Sequence, residues 1–425
     1  MTLRLKHIAT IAKGRMTAGA ANTEQRGIPL INMSALRGTP YNEWVEESVP
    51  DCNEGDIVVC WDGSNSGEFF LSNQTGALAS TIGRVMPIKT TFYRFLFYLL
   101  KSKETHLRAN ITGMGIPHIN PTELKNIQIP EFDLPTQRAI ADFLDRETAR
   151  IDSLIEKKQR LVELLGEKRA SAISSAVTVG LDENAELVGT SSQYLPRVPA
   201  TWRIWRLKHL AQIRGGLTLG RQIPKDVETT LTPYMRVANV QAGFLDLRDV
   251  AEIPVTENEK KRYRLKNGDV LMNEGGDNDK LGRGAVWKSE IDTCVNQNHV
   301  FAVRTNDTRY SDWISLATNA LYARDFFYLH SNQSTNLASI SKTNLSRFPV
   351  AIPPLDEMQA TLETLRDRMS KLDWISEKTN TSIDHLKEYR SALITSAVTG
   401  QIDVFTHSRS GTTDRQLDAI QSEMN

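Results

Sequence analysis

The sequence predicts an α+β protein built as a tandem duplication. Two mixed α/β domains are each followed by one long helix, and the two helices pair as an antiparallel coiled coil with pseudo-twofold symmetry. Three observations predict this. Blocks of residues recur in the same order in both halves. Two long stretches lack proline. Both stretches carry apolar residues at alternating spacings of three and four.

The repeat comes first. Arg4-Leu5-Lys6-His7-Ile8-Ala9 returns as Arg206-Leu207-Lys208-His209-Leu210-Ala211. Asn53-Glu54-Gly55-Asp56-Ile57-Val58 returns loosely as Lys266-Asn267-Gly268-Asp269-Val270-Leu271, and Ser175-Ala176-Val177-Thr178 returns as Ser396-Ala397-Val398-Thr399. The offset grows from 202 (Arg4 to Arg206) to 221 (Ser175 to Ser396), so the second copy carries the longer insertions. A unit of about 200 residues is far too long for a solenoid repeat of 20–45 residues.

Proline removes a backbone donor and breaks helix interiors. None occurs from Thr136 to Leu195, and none after Pro354. In the second stretch Leu362, Leu365, Met369, Leu372, Ser376, Thr379, Ile383, Leu386, Arg390, Leu393 and Ala397 keep the period-3.5 seam of a coiled coil. In the first, Leu144, Ile151, Leu154, Leu161, Leu165 and Ala172 keep the same phase, interrupted by Lys158. Pro135 suits a first helical turn, Asp356 with Gln359 resembles a capping box, and Gly180 and Gly400 suit C-terminal caps. Each helix is expected to run ~40 residues, or ~60 Å. Each has an apolar stripe that needs a partner, which the duplication supplies; the alternative is that each helix packs on its own globular domain.

The remaining segments read as mixed α/β. Apolar runs at 56–60, 269–272 and 299–303 are bounded by Gly and Asn clusters and predict strands. Tyr93 to Leu107 and Trp313 to Tyr328 predict helices. The expected organisation is a first α/β domain at 1–133, a first long helix at 134–181 and a polar linker at 182–200. A second α/β domain follows at 201–353, a second long helix at 354–403 and a frayed polar tail at 404–425.

Composition bounds the function. Of 425 residues 40% are apolar and 24% charged, which suits a soluble globular protein and excludes disordered, collagen-like and disulfide-scaffold classes. The longest apolar run, Phe95 to Leu100, is far short of the ~20 residues needed to span a bilayer. Cys52, Cys60 and Cys294 form no Cys-x-x-Cys, which argues against a disulfide framework and against paired-thiol zinc. A reducing cytoplasm is the expected location. The acid-free opening residues recur at position 206, so they are assigned to the fold and not to a targeting segment. Formal net charge is zero, with 51 basic and 51 acidic residues, so any nucleic-acid face must be local.

Catalytic signatures are missing from the sequence. There is no phosphate-binding Gly-x-x-x-x-Gly-Lys-Ser/Thr loop, no His-Glu-x-x-His, no Gly-x-Ser-x-Gly and no kinase signature. Gly113-Met114-Gly115 is too short for a dinucleotide fingerprint. Asn120-Pro121 lacks the Pro-aromatic pair of adenine methyltransferases, and Glu123-Leu124-Lys125 is too short a match to a nuclease motif. The eight histidines have no ligand spacing. A recognition device is expected, with no catalytic residue, metal or cofactor of its own.

The plan of variable domain and long helix, twice over, resembles the specificity subunit of type I restriction–modification systems. The residues that carry the resemblance are the helix starts Leu134-Pro135-Thr136-Gln137-Arg138-Ala139-Ile140-Ala141-Asp142-Phe143-Leu144-Asp145 and Pro353-Pro354-Leu355-Asp356-Glu357-Met358-Gln359. The helix exits Ser175–Asp182 and Ser396–Asp403, and Trp202, Trp205 and Leu207 at the start of the second variable domain, add to it. It covers nearly the whole chain. Two departures are the missing tryptophans at the N-terminus and Met358 where Glu or Gln is usual. The resemblance implies two target recognition domains, each reading one half of a split, asymmetric double-stranded DNA sequence. It implies helices that set the gap and dock two methyltransferase subunits, joined by restriction/translocase subunits. S-adenosylmethionine, ATP and magnesium are then expected on those partners. Adding four residues to both helices should move the domains ~6 Å. At 3.4 Å per base pair that lengthens the gap by about two pairs.

Base contacts are expected from Arg, Asn, Gln and Lys on loops, and phosphate contacts from basic clusters. The leading loop is Asn273 to Arg283, with Asn273, Glu274, Asn278, Asp279, Lys280 and Arg283 as candidates. Its counterpart is Trp61 to Gly67, with Trp61, Asp62, Ser64 and Asn65. Asn296, Gln297, Asn298 and His299 are placed on a neighbouring surface. Gly113 to His118 and Ser339 to Lys342 precede the helices and add His118 and Lys342. Arg84, Arg236 and Asn239 complete the set. The acid-free run holding Arg203, Arg206, Lys208, Arg214 and Arg221 is read as a phosphate face or a solvated one, as is Lys260 to Lys266. Competing functions are a fused restriction–methylation polypeptide, a coiled-coil scaffold that binds no nucleic acid, and a degenerate subunit that reads no DNA.

Overall fold

The computed structural model describes residues 3–15, 27–39, 43–46, 50–111, 115–276, 281–333 and 338–422. Two compact units emerge: Met1–Leu161 with Glu377–Asn425, and Val162–Ser376. Each unit holds one α/β domain together with a piece of each long helix.

The two domains share one topology. In the first, strands Ala9–Lys13, Ile82–Pro87, Ile57–Cys60 and Phe69–Leu71 form an antiparallel sheet in that order. In the second, Ala211–Arg214, Val300–Thr305, Val270–Asn273 and Gly284–Val286 repeat it. Each domain adds a three-stranded sheet with one parallel pair, Ile28–Ile31 on Ala77–Leu78 and Thr230–Met235 on Val295–Asn296. Ile57–Cys60 and Val270–Asn273 are buried at every position. That is why they read as continuous apolar runs without alternation.

The repeated Gly-Asp block is a turn feeding that buried strand. The Asn53 amide donates to Asp56 Oδ2 at 2.6 Å, and the Asp56 amide donates to the Asn53 carbonyl at 3.1 Å. Lys266 and Asp269 make the same pair of bonds at 2.8 and 2.9 Å. Gly55 and Gly268 hold φ of +84° and +86°, a region that favours glycine. Each aspartate also takes an arginine, Arg84 on Asp56 at 2.8 Å and Arg304 on Asp269 at 2.6 Å. The block recurs because the fold needs it.

The long helices are Leu134–Thr178 and Leu355–Val398, of 45 and 44 residues. Asp133 starts the first, accepting the Thr136 amide at 2.9 Å. Gly180 and Gly400 follow the exits at φ of +79° and +74°. The pairing is antiparallel. In one unit Ile140, Leu144 and Ile151 share a core with Leu386, Leu393 and Ala397. In the other, Ile173 and Ala176 pack with Leu365 and Met369. Arg390 grips Asp152 with two bonds of 2.8 and 3.0 Å. Arg169 meets Asp373 at 3.3 Å. The offset of 221 carries Asp152 onto Asp373 and Arg169 onto Arg390, so one interhelical ion pair occurs twice.

Several expectations need correction. Lys158, read as an interruption of the apolar seam, is nonetheless taken into it. It is buried, and burial pushes its ammonium below the ordinary lysine value. Leu161, expected in the seam, is exposed. The helices expected at 93–107 and 313–328 are each two, Tyr93–Lys101 with Glu104–Ala109 and Ser311–Thr318 with Leu321–Leu329. Asn319 divides the later pair by donating to the carbonyls of Gly284 and Ser315. The polar stretch after the first helix contains a two-stranded hairpin, Leu187–Gly189 on Arg197–Pro199, anchored by buried Leu195 and Val198. The tail, expected to be frayed, is ordered over its described residues. Val404–Arg409 and Thr412–Ser422 are helices whose Val404, Thr413, Leu417 and Ile420 are buried. Three or four apolar contacts at helical spacing suffice to dock a segment that is polar on average. No helix among the described residues is long and apolar enough to cross a membrane.

Candidate nucleic-acid interface

In the first copy the site forms where the buried strand Ile57–Cys60 runs out into a glycine loop. The Trp61 amide donates to the Thr81 carbonyl at 2.7 Å, and the Trp61 carbonyl accepts from the Ile119 amide at 3.0 Å. These bonds bring residues 61–62 beside His118. Asp62 Oδ1 lies 2.6 Å from His118 Nδ1, and Asp62 Oδ2 accepts from Lys13 Nζ at 2.7 Å. The Lys13 ammonium stands 5.9 Å from the Trp61 ring centroid. Burial alone would raise the Asp62 carboxyl, but the hydrogen bonds from Lys13 and His118 outweigh it and hold the group below its ordinary value.

The second copy repeats the backbone frame. The Glu274 amide donates to the His299 carbonyl at 2.9 Å, and the Glu274 carbonyl accepts from the Ile340 amide at 2.8 Å. Glu274 Oε2 lies 3.0 Å from His299 Nδ1, and Asn298 Nδ2 lies 3.3 Å from His299 Nε2. Both copies thus place a carboxylate–imidazole pair at the same corner of the sheet. The pairs come from different positions: Glu274 takes the place of Trp61, and His299 the place of Thr81. Both imidazoles are about half exposed, which leaves a ring edge for a ligand.

The other candidates divide by burial. Ser64 is exposed, and Asn65 accepts from Arg37 at 2.8 Å. Lys342 is exposed and Arg214 half-buried, and both line one concavity. Arg283 is half-buried. Asn278, Asp279 and Lys280 lie outside the described residues. Asn273 and Asn239 are buried, and their amides donate to main-chain carbonyls, Asn273 to Val240 and Asn239 to Asp246 and Asp249. Buried polar groups must find partners inside the fold, so these two support the loops from beneath. Asn296 is likewise buried, donating to the Val300 carbonyl.

Three arginines are held by acids. Arg84 lies on Asp56 at 2.8 Å, and Arg236 on Asp249 at 2.8 Å. Arg221 lies on Glu259 Oε2 at 3.0 Å. The Arg221 hydrogen bond outweighs burial and draws the Glu259 carboxyl down to about 2. Sequence reasoning missed Lys13, Arg37 and Arg108. The last two both bind Glu68, at 3.2 and 2.7 Å, beside the loop. Nothing in the sequence marks them, since each lies more than 25 residues from its partner. Among the described residues no cluster of His, Cys, Asp or Glu could hold a metal ion. All three thiols are pushed up by burial, Cys52 and Cys60 to about 11 and Cys294 to about 12.

The family described as type I restriction modification DNA specificity domain matches twice, at residues 1–164 and 199–385. The chain belongs to that family. The two specificity-domain matches fall on the two structural copies. Among relatives, the type I restriction enzyme MjaVIII specificity subunit of Methanocaldococcus jannaschii is 27% identical over 275 residues. That match covers 64% of this chain and 62% of the relative, so the chain spans under two thirds of that relative's length. The type I restriction enzyme EcoBI specificity subunit of Escherichia coli is 20% identical over 416 residues, 95% of this chain and 86% of the relative. A solved chain, described under complex assembly and conformational transition of the type I R-M system, superposes with a TM-score of 0.62. It is 17% identical and is covered over 98% of its length, against 95% of this chain, so the specificity-domain fold is shared end to end.

Proposed function

We propose that this chain is the DNA specificity subunit of a type I restriction–modification enzyme. Each copy reads one half of a split double-stranded DNA target. The paired helices set the unread gap and dock two methyltransferase subunits. Adenine methylation and ATP-dependent cleavage reside in the methyltransferase and restriction subunits, with S-adenosylmethionine, ATP and magnesium bound there. A cytoplasmic location follows from that role.

One observation carries the reading: a single backbone frame occurs twice and presents different polar side chains at the same corner. A frame that repeats while its chemistry varies suits two readers of unlike half-sites. A carboxylate accepts from the exocyclic amine of cytosine, while a half-exposed imidazole can donate to or accept from a base edge. Asp62 with His118 is assigned to one half-site and Glu274 with His299 to the other. Ser64, Asn65, Asn298 and Arg283 are assigned to the same two reading surfaces.

The test is a methylome. The chain is co-expressed with its methyltransferase partner in a host lacking DNA methylation, and modified adenines are mapped by long-read sequencing. A split motif of fixed gap that disappears when either protein is omitted is the expected result. A stable complex with intact partner motifs but no new modification would favour a scaffold or a degenerate subunit.

A further inference from the structure

We propose that a concave pocket in the second copy is a seat for one phosphodiester group of the DNA backbone, held by Arg214, Arg262 and Lys342. The proposal rests on the DNA-reading function above. The pocket encloses about 270 Å³, and no carboxylate lines it. Its three cations come from three elements: the strand Ala211–Arg214, the helix Glu257–Tyr263 and the helix Lys342–Leu345.

The cations are held in place by the fold. The Arg214 guanidinium donates to the Arg262 carbonyl. The Arg262 guanidinium lies 5.3 Å from the Tyr263 ring centroid. Asp269, whose charge acts on Arg214, is taken up by Arg304 through two bonds of 2.7 and 2.6 Å. Among the described residues none of the three has a carboxylate partner. Gathering like charges without a counter-charge destabilises a fold, and a bound anion relieves that. Gly215 leaves the floor bare, since a Cβ there would meet nothing within 4 Å. At Gly216 a Cβ would fall 2.2 Å from the carbonyls of Asn296 and Gln297, so the chain needs glycine there to come this close.

The pocket adjoins the reading corner. The Leu217 amide donates to the Asn296 carbonyl at 2.7 Å, and the Leu217 carbonyl accepts from Asn298 at 2.9 Å, one residue before His299. Lys342 follows Ile340, whose amide holds the Glu274 carbonyl. A phosphate in this place fixes the register in which Glu274 and His299 meet base edges, which is what backbone contacts do in DNA recognition. Among the described residues the first copy shows no such seat. Ala12 and Pro121 stand where Arg214 and Lys342 do, and Lys13 is bound to Asp62.

The experiment measures duplex affinity against salt for the full chain in complex with its methyltransferase partner. Lys342→Ala and Arg262→Ala change exposed side chains, and thermal melting checks that both still fold. Each is expected to flatten the log affinity–log salt slope by about one and to weaken every duplex about fivefold to tenfold near 0.1 M salt. The methylated motif should stay the same. Arg309→Ala, which removes an exposed cation elsewhere in this copy, should change nothing. Parent-like slope and affinity in both pocket variants would overturn the seat and leave the specificity function standing. A changed motif would also overturn it, because the pocket would then read bases. Inorganic phosphate that stabilises the parent, spares Lys342→Ala and is not displaced by duplex would assign the pocket to a free anion and overturn it too. Failure of the parent complex to bind any duplex would bring down the DNA-reading function itself, a result distinct from the others.

Discussion

In the first copy the corner carboxylate is Asp62, one residue beyond the buried strand's successor Trp61. In the second it is Glu274, at the Trp61 position itself. The imidazole arrives from residue 118 on one side and from residue 299 on the other. The backbone bonds around them correspond one for one: Trp61 to Thr81 and Ile119, Glu274 to His299 and Ile340. Main-chain donors and acceptors must be satisfied wherever they are buried, so the frame tolerates little change. The side chains projecting from it end in half-exposed imidazoles and are free to differ. The same separation appears in the sheet. Arg84 faces Ala12 across one register pair, and Arg214 faces Ala302 across the corresponding one. One copy spends its arginine on Asp56 and the other points it into a cationic pocket.

The largest effect should come from the turn that the copies share but bury differently. Asp269 is 1% exposed and gripped by two bonds from Arg304, whereas Asp56 is 24% exposed. Asp269→Ala strips a partner from a buried ion pair and should cost about 3–5 kcal/mol. Asp56→Ala should cost about 1 kcal/mol. Equilibrium urea unfolding compares the two, and equal losses would break the claim that burial separates them.

Next come the corners themselves. Asp62→Asn and Glu274→Gln preserve shape and remove charge. Each should weaken discrimination at one base pair by about 1–3 kcal/mol. Methylome mapping should show one half-site relaxed in each variant and the other half untouched. Relaxation of both halves by one substitution would refute the assignment of one corner to one half-site.

The duplication, the long helices and the buried strands were legible because their signals are local: matched blocks, missing proline, three-four spacing and continuous apolar runs. Asp62, Glu274, His118 and His299 were legible as candidates from their loops. Their pairing was not, because each partner lies 25 to 56 residues away and meets it only through the sheet register. Asn239 and Asn273 read like surface residues, since an asparagine satisfied by main-chain carbonyls has the same letter as one facing DNA. The terminal helix Thr412–Ser422 was hidden for a related reason. Thr413, Leu417 and Ile420 form a stripe too thin to lift the average polarity of the tail.

Acid should act on the second copy in a smaller way. The Glu259 carboxyl sits at about 2 in the folded chain against an ordinary 4.5, held down chiefly by Arg221. A carboxyl lowered on folding stabilises the native state above its unfolded value and loses that contribution as pH falls through its folded one. Allowing for solvent screening at this partly exposed site, about 1–2 kcal/mol should be fully present above pH ~4.5 and drain away between there and pH ~2. In Glu259→Gln the urea midpoint should be lower at pH 6 and should converge on the parent as pH falls. A constant gap between the two proteins down to pH 3 would rule this out.

The smallest effect tests the symmetry most directly. Asp152–Arg390 and Asp373–Arg169 are one interhelical contact written twice, yet the first has two bonds of 2.8 and 3.0 Å and the second a single approach at 3.3 Å. Both aspartates are more than half exposed, so each pair should contribute only about 0.2–1 kcal/mol, with the two-bond pair at the upper end. A double-mutant cycle with Asp152→Ala and Arg390→Ala, beside one with Asp373→Ala and Arg169→Ala, isolates the two coupling energies. High salt should shrink both. If the pairs serve mainly to fix the antiparallel register, exchanging Asp152 with Arg390 should restore most of the first coupling, since the reversed pair spans the same positions. A reversal that restores nothing would mean that the surroundings of each helix, and not the pair alone, select which side carries the arginine.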